Sequence, residues 1–139
     1  MQIYTNSISC QNFSYEYSKY NEAVILTIST AMENKELNIG KFDASIAYKG
    51  HKEYFNDYIG HAHSEKTLAL YAILLGLAKL KRSVPVIVFL EQSILNVKNI
   101  LDKDVYDQIE AVAIKKGITS LTLIGVQEGK SLLEQFSKE

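Results

Sequence analysis

The chain has 139 residues, of which 47% are apolar and 22% charged, and its 15 basic and 16 acidic residues nearly cancel. This length and composition predict one globular domain over residues 1–139 with a sizeable core. The charge balance argues against a dedicated duplex binder, which usually carries a basic excess. The single cysteine, Cys10, excludes an internal disulfide and a zinc site built from cysteines.

Nothing in the sequence predicts a membrane association. The N-terminal stretch MQIYTNSISCQNFSYEY has neither the basic start nor the apolar centre of a signal peptide. The longest apolar run, LALYAILLGLA over 68–78, is much shorter than the about 20 residues that span a bilayer. We therefore expect a soluble, cytoplasmic protein.

The first 60 residues carry patterns typical of strands. QIYTNSIS (2–9) and FSYEYS (13–18) are candidates, and AVILTIST (23–30) has the β-branched, apolar character of a buried strand. FDASIAY (42–48) and EYFNDYI (53–59) flank KGHK and predict a hairpin with glycine at its turn.

Helical patterns begin near residue 64. EKTLALYAILLGLAKLK predicts a helix over 65–81, capped by Ser64 and with Glu65 at the positive end of its dipole. Pro85 then opens a strand over 86–90. The remaining predicted elements are a helix over 92–100, a helix over 104–116 that ends at Gly117, a strand over 118–125 and a helix over 130–139. Antiparallel strands followed by alternating helices and strands predict an α/β fold with a mixed sheet.

Four segments resemble motifs of the type 1 ribonuclease H family. QIYTNSIS is similar to its first-strand motif I-Y-T-D-G-S, and HSEKTLALYAILLGLAKLK is similar to its central helix. VPVIVFLEQSILNVKNI resembles the fourth strand and the following helix, and DVYDQIEAVAIKKGITSLTLIGVQEG resembles the next helix and the fifth strand. These segments cover 2–9 and 64–139. The resemblance implies a ribonuclease H-like mixed sheet of five strands or slightly more, with antiparallel strands first and helices on both faces.

The family cuts the RNA strand of RNA–DNA hybrids with two Mg²⁺ ions, which about four carboxylates hold. The residues of this chain at the matching positions are Asn6, Ala69, Glu91 and Glu134. Asn6 offers one neutral oxygen and Ala69 no ligand, whereas Glu91 keeps a carboxylate on a longer arm. The loop that carries the family's histidine reads GVQEGK here and has none.

A second alignment of the N-terminal strands remains open. If 23–30 is the first core strand, the first metal position falls near Ser29 or Thr30, which are not carboxylates either. Glu65 lies one helical turn before Ala69 and is a candidate stand-in for it. Both alignments predict that no intact catalytic site, metal site or cofactor site remains, so we expect no ribonuclease H activity.

Three functional hypotheses follow. The first is a degenerate domain kept for binding an RNA–DNA hybrid, another nucleic acid or a protein partner. The second is a slow Mg²⁺- or Mn²⁺-dependent nuclease with a reduced site, built from Glu91, Glu134, Glu65 or Asp43. The third is a homo-oligomeric assembly protein that pairs through a tyrosine-rich edge strand.

Two further groups of residues bear on these hypotheses. Basic residues cluster at the ends of predicted helices: Lys79, Lys81, Arg82, Lys115 and Lys116. They either interact favourably with the helix dipole or bind phosphate groups. An aromatic stripe early in the chain is typical of a strand face or an interface, and would also suit base stacking: Phe13, Tyr15, Tyr17 and Tyr20.

Overall fold

The computed structural model describes residues 3–8, 23–34, 36–60, 65–81, 83–91, 103–118 and 120–126. Within these ranges the chain forms six strands and two helices. In chain order they are β1 (Ile3–Ile8), β2 (Val24–Asn34), β3 (Ile39–Tyr48), β4 (His51–Ile59), α1 (Glu65–Ala78), β5 (Val86–Glu91), α2 (Lys103–Lys115) and β6 (Leu121–Val126). The strand predicted over 13–18 and the helices predicted over 92–100 and 130–139 lie outside the described residues.

The six strands form one mixed sheet in the order β1-β6-β5-β2-β3-β4. Strands β2, β3 and β4 are an antiparallel meander, whereas β5 is parallel to β2, β6 to β5 and β1 to β6. The predicted α/β class and the mixed sheet are confirmed. Strand β1, although first in the chain, lies at the edge of the sheet opposite to β4. Strand β2 joins the antiparallel half of the sheet to the parallel half.

A two-residue turn connects β3 to β4. Lys49 and Gly50 both have positive φ angles, 47° and 85°, and Tyr48 pairs with His51 on either side of them. Two consecutive left-handed residues define the type I′ turn, whose twist matches that of the strands. The predicted hairpin is therefore present, with longer strands and a tighter turn than KGHK indicated.

Helix α1 packs closely on β2 and β3. A Cβ atom at Gly40 would overlap the side chain of Leu68, and one at Gly76 would stand 3.0 Å from Leu26. The first contact lies near the start of the helix and the second near its end. Since Gly40 pairs with Met32, α1 runs antiparallel to β2 and begins beside the C-terminal end of that strand.

Helix α1 ends three residues earlier than the predicted boundary at 81. The amides of Lys79 and Leu80 donate to the carbonyls of Gly76 (3.2 Å) and Leu77 (3.1 Å). These i→i−3 bonds tighten the last turn and satisfy carbonyls that have no partner in the regular helix.

Helix α2 ends at Lys115, one residue before the predicted boundary, and Gly117 forms the predicted C-terminal stop. Gly117 has a φ of 69° and donates to the carbonyl of Ile114, while Ile118 donates to that of Ala113, each at 3.0 Å. This pair of bonds is the Schellman arrangement, in which a left-handed glycine lets the chain turn back.

Helix α1 packs on one face of the sheet, and α2 packs against α1 and shares its core cluster. Their core partners on that face include Leu26, Ile28 and Val88. The opposite face, called the far face below, is also buried at the centre of the sheet, where Ile87 is 4% and Phe89 0% exposed. Burial on both faces explains why these strands are continuous apolar runs in the sequence.

Neither helix in the described part of the chain is long and apolar enough to cross a lipid bilayer.

Candidate functional site at the carboxyl edge of the central strands

Strands β2 and β5 run parallel and bring Ser29 level with Glu91. Thr27 of β2 pairs with Phe89 of β5, and Glu91 is the last residue of its strand, two positions further on. Ser29 is two positions beyond Thr27. The carboxyl end of a parallel pair is a frequent place for functional groups in α/β proteins.

The same level of the sheet continues across β3 and β4. Ser29 pairs with Asp43, and Asp43 pairs with Asn56. We call Asn56, Asp43, Ser29 and Glu91 the Ser29 row. Because neighbouring strands lie about 4.8 Å apart, the backbones of Asp43 and Glu91 stand about 10 Å apart with Ser29 between them.

In the Ser29 row, the acidic residues Asp43 and Glu91 lie on either side of the uncharged Ser29. The Asp43 side chain is 62% exposed, and the Lys41 ammonium lies 3.9 Å from its carboxylate. Two divalent ions about 4 Å apart need several oxygen ligands that converge on them. At the middle position of the row the chain supplies only the hydroxyl of Ser29.

Thr30, the other candidate for the first metal position, points to the opposite side of the sheet. It pairs with Phe42, a core residue on the helix face, and is only 2% exposed. Its Oγ1 atom is buried without a hydrogen-bond partner. An isolated hydroxyl in an apolar environment cannot supply the charge that a divalent cation needs.

The central helix brings no carboxylate to the position of Ala69. Ala69 is 1% exposed and packs in the core beneath α1. Glu65 is the first residue of the helix, partly exposed, where its charge suits the positive end of the helix dipole. Across the described ranges, no group of three or more His, Cys, Asp or Glu residues could hold a metal ion.

Asn6 lies far from the Ser29 row. It is on β1 and pairs with Ile124 of β6, so β6 separates it from β5. It is also level with Phe89 rather than with Glu91. In the sheet order β2, and not β1, lies beside β5. Glu134 lies outside the described residues.

A second feature on the far face was not identified from the sequence. Tyr54 and Tyr58 of β4 are 59% and 60% exposed. Lys52 Nζ lies 5.5 Å from the centre of the Tyr54 ring, and Lys41 Nζ lies 5.7 Å from that of Tyr58. With Asn56 between the tyrosines, these five residues form what we call the tyrosine ladder. The signal in the sequence is Y-x-N-x-Y, the alternation of one strand face.

Two of the basic residues at the helix ends, Lys79 and Lys116, interact locally. Lys79 Nζ lies 3.4 Å from a carboxylate oxygen of Glu53 and 5.4 Å from the centre of the Phe55 ring. Lys116 Nζ donates to the carbonyl of Leu80 at 2.9 Å, at the end of α1. Both contacts fit the role of stabilising helix ends and anchoring β4. Arg82 lies outside the described residues.

No protein-family model matches the chain, and no curated protein sequence matches it significantly.

Proposed function

We propose that this chain is a ribonuclease H-like domain that lacks the two-metal chemistry and binds nucleic acid. The observation that carries the proposal is the Ser29 row. Asp43 and Glu91 flank a serine at the place where the resemblance requires the first metal-binding carboxylate.

The strand arrangement supports the ribonuclease H-like part of the proposal. The resemblance implies three strands before the central helix, and β2, β3 and β4 supply them as an antiparallel meander. Strand β5 lies beside β2 and β6 lies beside β5, which fits the fourth and fifth strands that the resemblance implies. The burial of Ile87 and Phe89 on the far face supports a second covering layer there, as helices on both faces would provide.

Charge supports the inactive part of the proposal. Two divalent cations bring four positive charges, and water activation between them depends on carboxylates that hold both ions. In the described part of the chain, Asp43 is already partly neutralised by Lys41, and Ala69 offers no ligand. Of the described positions that would have to hold the ions, Ala69 therefore supplies no ligand and Ser29 no charge, which leaves Glu91 and Asp43 as the carboxylates of the row.

The test is a titration of the pure protein into a labelled RNA–DNA hybrid, with Mg²⁺ and with Mn²⁺, scored for binding and for cutting. We expect binding without cutting, and no difference between the wild-type protein and Glu91→Gln in either metal. A sample with a chelator controls for contaminating nucleases. Cutting that Glu91→Gln abolishes would overturn the proposal and make the chain a metal-dependent nuclease with a reduced site.

A further inference from the structure

We propose that the tyrosine ladder is a stacking surface for single-stranded nucleic acid. This inference rests on the proposed function, since it assigns the nucleic-acid-binding role to a particular surface and to a particular form of the ligand.

The strand geometry presents both tyrosines on the same side. Tyr54, Asn56 and Tyr58 alternate along β4 with Phe55 and Asp57, so they share the far face. Phe55 turns to the other face and packs edge-on against Phe42, with ring centres 5.9 Å apart. Phe55 therefore anchors β4 to the core on the helix face. Tyr54 and Tyr58, on the far face, are not needed for that anchoring.

The spacing of the two rings suits separate bases. Four residues of extended strand place Tyr54 and Tyr58 about 13 Å apart, which leaves room for one base on each ring. Each ring is more than half exposed. Stacking of bases on exposed aromatic rings is the main sequence-tolerant contact in proteins that bind single strands.

Positive charge lies next to each ring. Lys52 and Lys41 lie over the rings of Tyr54 and Tyr58, so a base that stacks on that face of a ring displaces the ammonium to the side of the ring. An ammonium beside a stacked base is well placed for the phosphate of the same nucleotide. Asp43 offsets one of the two lysines. The surface is thus slightly basic on a chain of net charge −1, which predicts moderate affinity with the limited salt dependence of about two phosphate contacts.

Asn56 adds a hydrogen-bonding group between the rings. Its amide carries both donors and an acceptor, and base edges in a single strand are unpaired and open to such contacts. Asn56 is also a member of the Ser29 row. A nucleic-acid strand bound to the tyrosine ladder therefore lies on the same face of the sheet as Ser29, which is two β-strands away.

The charge pattern of β4 disfavours a second copy of this chain as the occupant. The register that pairs all nine residues of β4 with the same strand of another copy is centred on Phe55. It places Glu53 opposite Asp57 on each side of the centre, and like charges directly opposite each other are destabilising. Lysine on an edge strand, here Lys52, discourages such pairing further.

The inference is tested by fluorescence anisotropy of short labelled oligouridine and oligothymidine with the full chain. We expect Tyr54→Ala and Tyr58→Ala each to weaken binding at least about fivefold, the equivalent of about 1 kcal/mol for one stacked base. Tyr58→Phe keeps the ring and should bind like the wild-type protein. Lys41→Gln should lower the slope of log affinity against log salt by about 0.7, the value for one phosphate contact to a single strand.

Lys49→Gln is the matched control, because Lys49 stands 5.4 Å over the ring of Tyr48, a residue on the helix face of the same hairpin. It removes the same charge and should leave the affinity unchanged. Thermal unfolding checks that every variant is folded.

The failure of this inference can be told apart from failure of the proposed function. No binding of either oligonucleotide, or equal affinities for the wild-type protein and both alanine variants, would overturn the inference. Self-association of the wild-type chain in light scattering that Tyr58→Ala abolishes would overturn it too, in favour of an interface between copies. Hybrid cleavage that depends on Glu91 would overturn the proposed inactivity alone.

Discussion

Ser29 pairs directly with Asp43 across β2 and β3, which places an uncharged hydroxyl beside a carboxylate at the level of Glu91. The substitution Ser29→Asp would complete three acidic residues on three adjacent strands. Because clustered carboxylates repel one another until a cation binds them, we expect the variant to be less stable than the wild-type protein without metal and to gain stability from Mn²⁺. Thermal unfolding at increasing Mn²⁺ concentrations measures both effects.

The matched control for this prediction is Ser29→Asn, which has the same shape as the aspartate variant without its charge. Mn²⁺ should raise the melting temperature of Ser29→Asp and leave those of Ser29→Asn and the wild-type protein unchanged. Equal responses of the two variants would mean that the Ser29 row does not form a cation site even when its charge is supplied.

Local features of the fold were predictable because short-range chemistry determines them. Gly50 marked the turn of the β3–β4 hairpin, and Gly117 marked the end of α2, since each adopts a left-handed conformation that other residues disfavour. The apolar run of α1 indicated a buried helix, and it packs between the sheet and α2. For the candidate site, the position of Glu91 at a strand end was likewise evident from the sequence.

The places of the first two strands in the sheet could not be predicted, because they depend on long-range pairing. Residues 3–8 and 24–34 both have the composition of strands, and both are strands. Only the pairing of β1 with β6, more than a hundred residues later in the chain, moves Asn6 to the edge and leaves Ser29 beside β5. The tyrosine ladder was missed for a related reason, since its lysines come from two different strands.

The unpaired hydroxyl of Thr30 predicts a stabilising substitution. Thr30→Val keeps the β-branched shape and removes a buried polar atom that has no hydrogen-bond partner. Since an unsatisfied buried group costs about 1–3 kcal/mol, we expect the free energy of unfolding to rise by about 1 kcal/mol. Urea denaturation measures the change.

Thr30→Ser is the control for this prediction, because it keeps the hydroxyl and removes only the methyl group. It should lower the free energy of unfolding by about 1 kcal/mol through the lost burial. A valine variant that is less stable than the wild-type protein would show that the hydroxyl forms a favourable interaction in solution.

The close approach of α1 to β3 makes Gly40 sensitive to any side chain. In Gly40→Ala the new methyl group overlaps Leu68, whose whole branched end would have to move. Overpacking of this kind costs about 1–3 kcal/mol, so we expect a fall of that size in the free energy of unfolding. Gly60→Ala is the control, because a Cβ there meets no atom within 4 Å.

The same contact can be tested by a double-mutant cycle. If the cost of Gly40→Ala arises from Leu68, then Gly40→Ala combined with Leu68→Ala should be less destabilising than the sum of the two single substitutions. Strict additivity would place the cost elsewhere, in the backbone of β3 rather than in the helix contact.

Two constraints act on Gly117, its positive φ angle and its close contact with Ser83. Gly50 shares only the first of them, so a comparison of the two glycines separates their effects. Gly117→Ala must keep a φ of 69° for the Schellman turn, and its Cβ would stand 2.7 Å from the hydroxyl oxygen of Ser83. Gly50 also has a positive φ, 85°, but a Cβ there would meet no atom within 4 Å. The left-handed conformation alone costs a residue with a side chain about 1–2 kcal/mol, so Gly50→Ala should lower the free energy of unfolding by that amount.

Gly117→Ala should therefore be more destabilising than Gly50→Ala, by the cost of displacing Ser83 from its 3.2 Å hydrogen bond to the carbonyl of Lys116. Urea denaturation of both variants tests the order. Adding Ser83→Gly to Gly117→Ala removes the hydroxyl and should recover only the steric part of the loss, because the backbone strain remains. Equal effects of the two alanine substitutions would mean that the contact between Gly117 and Ser83 relaxes without cost, and that the turn conformation alone constrains this glycine.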